Sequence, residues 1–125
     1  MMHYDVFNGD ADGITSLVQL RLAQPLAATL VTGTKRDNAL LHRVPATADA
    51  AVTVLDIAIA NNRAALLRLL GAGAQLTWFD HHFAGDVPAD PRLTAYLDQA
   101  PDVCTGVLVD RHLQGRQRIW AVVAA

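Results

Sequence analysis

Short apolar runs alternate with stretches of helical periodicity along most of this chain. Four apolar runs are predicted to be β-strands: Tyr4–Phe7, Thr29–Thr32, Ala50–Leu55 and Leu76–Phe79. Apolar side chains at helical spacing predict four helices: Ile14–Ala23, Asp37–Arg43 (a short one), Asn61–Leu70 and Val103–Leu113. Phe83–Arg92 contains two prolines and a glycine and is expected to be a loop, and Gln117–Ala125 is a final apolar segment, either helix or strand.

The run Ala50–Leu55 indicates how the predicted sheet is covered. It is apolar throughout except for Thr53, which is typical of a parallel strand with helices on both faces. Strands and helices also alternate along the chain, as in βαβ units. The pattern therefore predicts an α/β domain with an open, mostly parallel sheet flanked by helices.

Composition narrows the class of protein. The chain has 125 residues, a length that fits one domain, and 52% of them are hydrophobic, which excludes a disordered protein. The net charge is −2, without the basic excess of a typical nucleic-acid-binding protein. All twelve acidic residues are Asp, so carboxylate chemistry here depends on Asp. The lone Cys104 excludes an internal disulfide, and we expect a cytoplasmic protein without signal peptide or membrane span.

Acidic residues follow three of the four predicted strands. Asp10 and Asp12 follow the first strand, Asp56 follows the third, and Asp80–His82 follows the fourth. Because the carboxyl ends of parallel strands share one edge of a sheet, we expect these groups to converge in a crevice. A divalent cation would relieve their mutual repulsion, and mixed Asp and His ligation favours Mn, Fe, Co or Zn over Mg.

Each of these groups also has a purely structural interpretation. An Asp between a strand and a helix often caps the helix, Asp10–Gly13 has the composition of a turn, and adjacent histidines can form a surface pair. The metal-site interpretation is favoured because acidic residues follow three of the four predicted strands.

Together the three segments resemble the first three motifs of the DHH phosphoesterases. The matching segments are Asp10–Ile14, Leu55–Ile57 and Asp80–His82, in the family's order and each at a predicted strand end. Cys104–Val109 is similar to the helix that follows the DHH motif, so the resemblance covers nearly the whole chain. The superfamily includes RecJ-type exonucleases, oligoribonucleases that degrade nanoRNA, exopolyphosphatases and manganese pyrophosphatases. The resemblance implies a Rossmann-like N-terminal domain over residues 1–125.

The resemblance also implies a dinuclear Mn site that hydrolyses phosphoesters. Asp10 would ligate one ion and Asp12 the other, while Asp56 would bridge the two and His81 would complete the second site. Two such ions activate a water molecule and hold the oxygens of an in-line displacement at phosphorus. No protein nucleophile is then required.

The DHH segment and two basic residues supply the remaining implied groups. Asp80 would lie next to the metals and act in catalysis together with His81, and His82 would face the substrate phosphate. Arg111 and Arg116, in a basic cluster near the C-terminus, are either phosphate contacts or a solvated helix end. We expect the loop around Lys35 to be solvated rather than bound to phosphate.

Two departures from the family pattern bear on activity. Many members have a His at the position of Val6; here Asn8 offers an amide oxygen instead, a weaker ligand that would weaken the first metal site. The family's fourth motif supplies a further Asp, and a second domain holds the substrate. The chain is expected to be a DHH domain that ends before both of them, so it binds metal but hydrolyses poorly.

Three functions remain open at this stage. The expected substrate is a nucleotide or short oligonucleotide phosphodiester, with polyphosphate or pyrophosphate as the alternative. A second interpretation is a module that keeps the fold without catalysis, and a third is a phosphotransferase that forms an aspartyl-phosphate at Asp10. The apolar run Ile119–Val123 further predicts that the chain self-associates, as a possible homo-oligomer.

Overall fold

Five parallel strands form one open sheet in the computed structural model, which describes residues 1–124. The strands are β1 (Met2–Phe7), β2 (Thr29–Thr32), β3 (Ala50–Leu55), β4 (Gln75–Asp80) and β5 (Leu93–Leu97). Their order across the sheet is β2-β1-β3-β4-β5, and every neighbouring pair is parallel. The predicted α/β class and the parallel sheet are therefore confirmed.

Helices lie on both faces of this sheet. They are α1 (Ala11–Ala23), α2 (Arg63–Gly71), α3 (Thr105–His112) and α4 (Arg118–Ala124), with 3-10 turns at Leu41–Arg43 and Ile59–Asn61. On one face α2 shares a buried apolar cluster with Val54 and Trp78. On the other face α1 and α3 share a cluster with Leu55 and Phe79, and α4 packs on α1 and α3.

The burial of β3 qualifies the prediction that helices cover it on both faces. Ala50, Val52 and Val54 are buried on the α2 face, as expected for a central strand. On the α1 face only Leu55 is buried, and Thr53 is half-exposed. The α1 and α3 layer therefore covers the carboxyl end of the sheet best, where the acidic residues lie.

Two predicted elements differ from the structure, and one strand was not predicted. Residues 93–97 form this strand, β5, after the predicted loop. The helix predicted over Asp37–Arg43 is only the 3-10 turn Leu41–Arg43. The helix predicted from Asn61 begins at Arg63, with Asn62 at the N-cap position, although the side chain of Asn62 makes no capping hydrogen bond. Instead, that side chain accepts from Leu41 N and donates to two backbone carbonyls.

The C-terminal segment is helical within its described part. The segment Gln117–Ala125 was predicted to be either helix or strand. In the structure α4 occupies Arg118–Ala124, and Ala125 lies outside the described residues. Trp120, in α4, is only half-buried, whereas Trp78, in β4, is fully buried. Ile119, Val122 and Val123 are exposed, and self-association through them stays a prediction. No helix within residues 1–124 is long and apolar enough to cross a bilayer.

The strand order places a crevice at the carboxyl edge of the sheet. After β1 the chain adds β2 on one side, then crosses to add β3, β4 and β5 on the other side. The carboxyl ends of β1 and β3 are therefore neighbours whose following loops turn in opposite directions. Such a switch point is where open α/β sheets bind ligands.

Candidate metal centre

The loop after β1 brings the first carboxylates to the switch point. Asp10 caps α1, since its Oδ1 accepts a hydrogen bond from Gly13 N at 2.9 Å. Gly13 itself has to be glycine, because a Cβ there would collide with the carbonyl oxygen of Asn8. The structural interpretation of Asp10 as a helix cap is thus correct, and it does not exclude a second role at the site.

Asp56 occupies the centre of the site. It directly follows β3, is 1% exposed, and has a left-handed backbone with φ 64°. Residues other than glycine, asparagine and aspartate rarely adopt this conformation, and it is common at functional sites. Its Oδ1 accepts a hydrogen bond from Thr105 Oγ1 at 3.0 Å and lies 3.2 Å from His81 Nε2.

Asp12 is held by the first turn of α3. Its two carboxylate oxygens accept hydrogen bonds from Thr105 N at 3.0 Å and Gly106 N at 2.7 Å. A Cβ on residue 106 would lie 3.3 Å from Asp12 Oδ1 and 2.8 Å from Ala124 Cβ. Glycine at this position therefore lets α3 come close to both Asp12 and α4. Asp12 Oδ2 also lies 3.5 Å from His81 Nε2, which places that imidazole between Asp12 and Asp56.

Asp80 and His82 form a separate pair beside this group. The buried Asp80 accepts a hydrogen bond from His82 N at 3.2 Å and shares a 2.6 Å contact with His82 Nδ1. Burial raises the pKa of Asp80, and the neighbouring imidazole of His82 opposes that rise. Asp80 therefore fixes the orientation of His82, whose side chain is 45% exposed.

The crowding of carboxylates has a large electrostatic effect. Burial, followed by the charges of Asp12 and Asp10, raises the pKa of Asp56 to about 9. Among residues 1–124, no arginine or lysine forms an ion pair with any of these three carboxylates. At neutral pH the metal-free site therefore keeps a proton, and a cation can replace it.

The available ligand atoms fit a transition-metal ion. One ligand atom from each of four residues lies within 4.8 Å of the others: Asp56, Asp80, His81 and His82. Asn8 Oδ1 is buried without a hydrogen-bond partner, and Asn8 lines the same cleft as Asp10 and Asp56. Carboxylate oxygens, imidazole nitrogens and an amide oxygen together suit Mn²⁺. The residues present thus fit the metal that the sequence predicts.

Most of the predicted site residues converge, and two do not. Those that converge are Asn8, Asp10, Asp12, Asp56, Asp80, His81 and His82. Arg111 lies near the far end of α3, where it pairs with Asp98 at 3.4 Å. Arg116 lies beyond that helix and donates to Leu113 O at 3.0 Å. The structure therefore does not bring these two arginines to the carboxylates, whereas Lys35 lines the same cleft as Asp10.

Sequence reasoning assigned no site role to the start of α3. Thr105 and Gly106 contact Asp12 and Asp56, and the fully buried Gln19 of α1 donates to Gly106 O at 3.0 Å. The available signal was the polar Thr-Gly pair that opens a helix directly after a loop. Val6, the expected departure from the family, lies fully buried in the apolar cluster below α2.

The fold and the site together define an α/β domain with an Asp and His centre at its switch point. No protein-family model and no curated protein sequence matched the chain. Among solved structures, exonuclease RecJ bound to manganese is similar, with TM-score 0.60, 22% identity, and coverage of 98% of this chain and 37% of that one. RecJ in complex with Mn²⁺ from Thermus thermophilus gives TM-score 0.58, 22% identity, and coverage of 98% and 20%.

The domain therefore shares its fold with a part of exonuclease RecJ, as the resemblance predicted. It spans 37% of the length of the first of these two chains and 20% of the second. At this level of identity the likeness establishes the fold alone.

Proposed function

We propose that the chain is a metal-dependent phosphoesterase domain that hydrolyses phosphodiesters with two Mn²⁺ ions. The observation that carries this proposal is the convergence of Asp12 and Asp56 on His81 Nε2, at 3.5 and 3.2 Å, without a balancing arginine or lysine in the described chain. The ligands would be Asn8, Asp10, Asp12, Asp56 and His81. Manganese in the two RecJ structures supports the choice of metal.

The remaining residues of the site position groups for the reaction. When bound, the metal ions supply the charge that lowers the pKa of the attacking water and neutralises the phosphoryl oxygens. The 2.6 Å contact with Asp80 holds the ring of His82 by Nδ1 and leaves its Nε2 available to the substrate. When both ring nitrogens carry a proton, Nε2–H can donate to a phosphoryl oxygen or to the departing alkoxide. Thr105 donates its hydroxyl to one oxygen of Asp56 and would hold this carboxylate in place beside the metal ions.

Calorimetric titration with Mn²⁺ and hydrolysis of bis(p-nitrophenyl) phosphate test this function. We expect two bound ions and hydrolysis that requires Mn²⁺. His81→Gln should weaken binding and abolish hydrolysis, whereas His42→Gln, at an exposed position outside the site, should behave as the wild type. Absence of Mn²⁺ binding at micromolar concentration, or equal hydrolysis in both variants, would overturn the proposal.

A further inference from the structure

One cleft joins the proposed metal centre to an exposed aromatic side chain. The cleft has a volume of about 390 Å³ and extends from Asp10 and Asp56 past His82 to Phe83. Phe83 is 71% exposed, more than any other aromatic residue within residues 1–124. Because exposed aromatic rings in a cleft commonly bind ligands, Phe83 requires an explanation beyond the packing of the fold.

The position of Phe83 relates it to the phosphate site. It directly follows His82, the residue proposed to face the phosphate, and consecutive Cα atoms are about 3.8 Å apart. Because the two residues also line the same cleft, a ligand whose phosphate meets His82 can extend its next chemical group toward the Phe83 ring. In a nucleotide ester that group is the sugar with its flat base.

The walls between these two ends suit a nucleobase. Ala60 gives the cleft an exposed apolar wall, while Asn38 and Asn61 offer exposed carboxamides with both donors and acceptors. Carboxamides pair with the polar edges of bases, and aromatic rings stack on their faces. Pyrophosphate and polyphosphate could meet Lys35, which lines the same cleft, but they carry no flat apolar face for Phe83 and no hydrogen-bond donors of the kind that bases offer.

We propose that Phe83 is a stacking platform for the nucleobase next to the hydrolysed phosphate, so that the substrate is a nucleotide ester rather than pyrophosphate or polyphosphate. This inference rests on the proposed function, because it uses the metal centre to place the phosphate. Phe83, the residue that would select the substrate class, is neither a proposed metal ligand nor part of the segment Asp80–His82.

Hydrolysis of the dinucleotide pApA by the Mn²⁺-loaded protein tests the platform. We expect Phe83→Ala to raise KM for pApA about tenfold with little change in kcat, and Phe83→Trp to keep KM low. Val87→Ala is the matched control, since Val87 is 41% exposed in the same loop and does not line the cleft. An unchanged KM in Phe83→Ala, or faster hydrolysis of pyrophosphate than of pApA by the wild type, would overturn the proposal.

A second readout requires no metal and no catalysis. In Phe83→Trp, adenosine should quench the fluorescence of the new tryptophan, whereas ribose should not. If Mn²⁺ fails to bind while adenosine still quenches, the proposed function fails and the base platform stands. If Mn²⁺ binds and pApA is hydrolysed without quenching, the base platform alone fails. If Phe83→Ala lowers the molar mass measured by light scattering and leaves KM unchanged, Phe83 belongs to a protein contact instead.

Discussion

Asp5 and Asp56 are equally buried, at 1% exposure, and their surroundings differ completely. Asp5 lies within β1 and accepts two hydrogen bonds from the guanidinium of Arg21, at 2.6 and 2.8 Å. Asp56 follows β3 and faces Asp10 and Asp12 instead of an arginine or lysine, and its burial, together with the charges of these two carboxylates, raises its pKa to about 9. Asp5 therefore has a fixed counter-charge within the fold, and Asp56 does not.

This difference separates a structural carboxylate from one prepared for a ligand. A buried ion pair such as Asp5 with Arg21 is complete within the protein and has no need of an external ion. A buried carboxylate among others of its kind is unfavourable until a proton or a metal ion joins it.

The largest effect that tests this comparison is the loss of metal binding in Asp56→Asn. Asparagine tolerates the left-handed backbone and keeps a hydrogen-bond acceptor for Thr105, so the fold should survive. We expect Mn²⁺ affinity measured by calorimetry to fall about a hundredfold or more, since second-sphere changes alone cost about 10- to 100-fold. Asp12→Asn should cause a smaller loss. Equal losses in the two variants would contradict the bridging role of Asp56.

Asp5→Asn should have the opposite profile, with lower stability and normal metal binding. Removing one partner of a buried pair leaves the other uncompensated, and Arg21 is 20% exposed, so we expect a loss of about 2–3 kcal/mol in the free energy of unfolding. Urea unfolding measures this loss. Asp90→Asn is the control, because it breaks an exposed pair with Arg92 and should have little effect on stability. A tenfold loss of Mn²⁺ affinity in Asp5→Asn would remove the distinction between the two regions.

The pH dependence of stability should also follow Asp56. In the unfolded chain this carboxyl loses its proton near pH 3.8, whereas in the folded protein it keeps the proton to about pH 9. The folded state then binds more protons between these values, so the stability of the metal-free protein should fall as pH rises from about 4 to about 9. Urea unfolding at pH 5, 7 and 9 measures the slope. A slope that is the same in Asp56→Asn would assign the pH dependence to other groups.

The sequence predicted the two regions unequally well. Asp10, Asp56 and Asp80 were identified because each closely follows an apolar run, and parallel strands bring such positions to one edge. The Asp5 pair with Arg21 was not identified, because an Asp inside a strand and an Arg late in a helix have no short-range signal.

The sequence also did not predict the support of the metal centre by α3, because this support depends on tertiary contacts. Thr105 reaches Asp56 across 49 positions, and Gln19 reaches Gly106 across 87, so only the folded chain shows that α3 supports the metal centre. No element was predicted for the residues of β5, which follow a loop with two prolines and a glycine and pair only with β4 in the described chain.

The smallest predicted effect concerns the neutral partner of Asp56. Thr105 is fully buried and donates its hydroxyl to Asp56 Oδ1, while its backbone N–H holds Asp12. Thr105→Val keeps the shape and the N–H but removes the hydroxyl, so we expect about tenfold weaker Mn²⁺ binding in calorimetry. Thr105→Ser keeps the hydroxyl, so its Mn²⁺ affinity should stay within about threefold of the wild type. This result would assign the effect to the hydrogen bond rather than to the methyl group.

Equal affinities in the two Thr105 variants would mean that the residue only fills space beside the metal centre. The expected difference also orders the two regions by the strength of their partners. Asp5 depends on a charged guanidinium, so its loss should lower stability. Asp56 has a hydroxyl and the imidazole of His81 as its partners, so changes there should appear in metal affinity. A stability loss in Thr105→Val as large as that in Asp5→Asn would show that the hydroxyl already compensates the charge of Asp56, and that a cation is not what this carboxylate lacks.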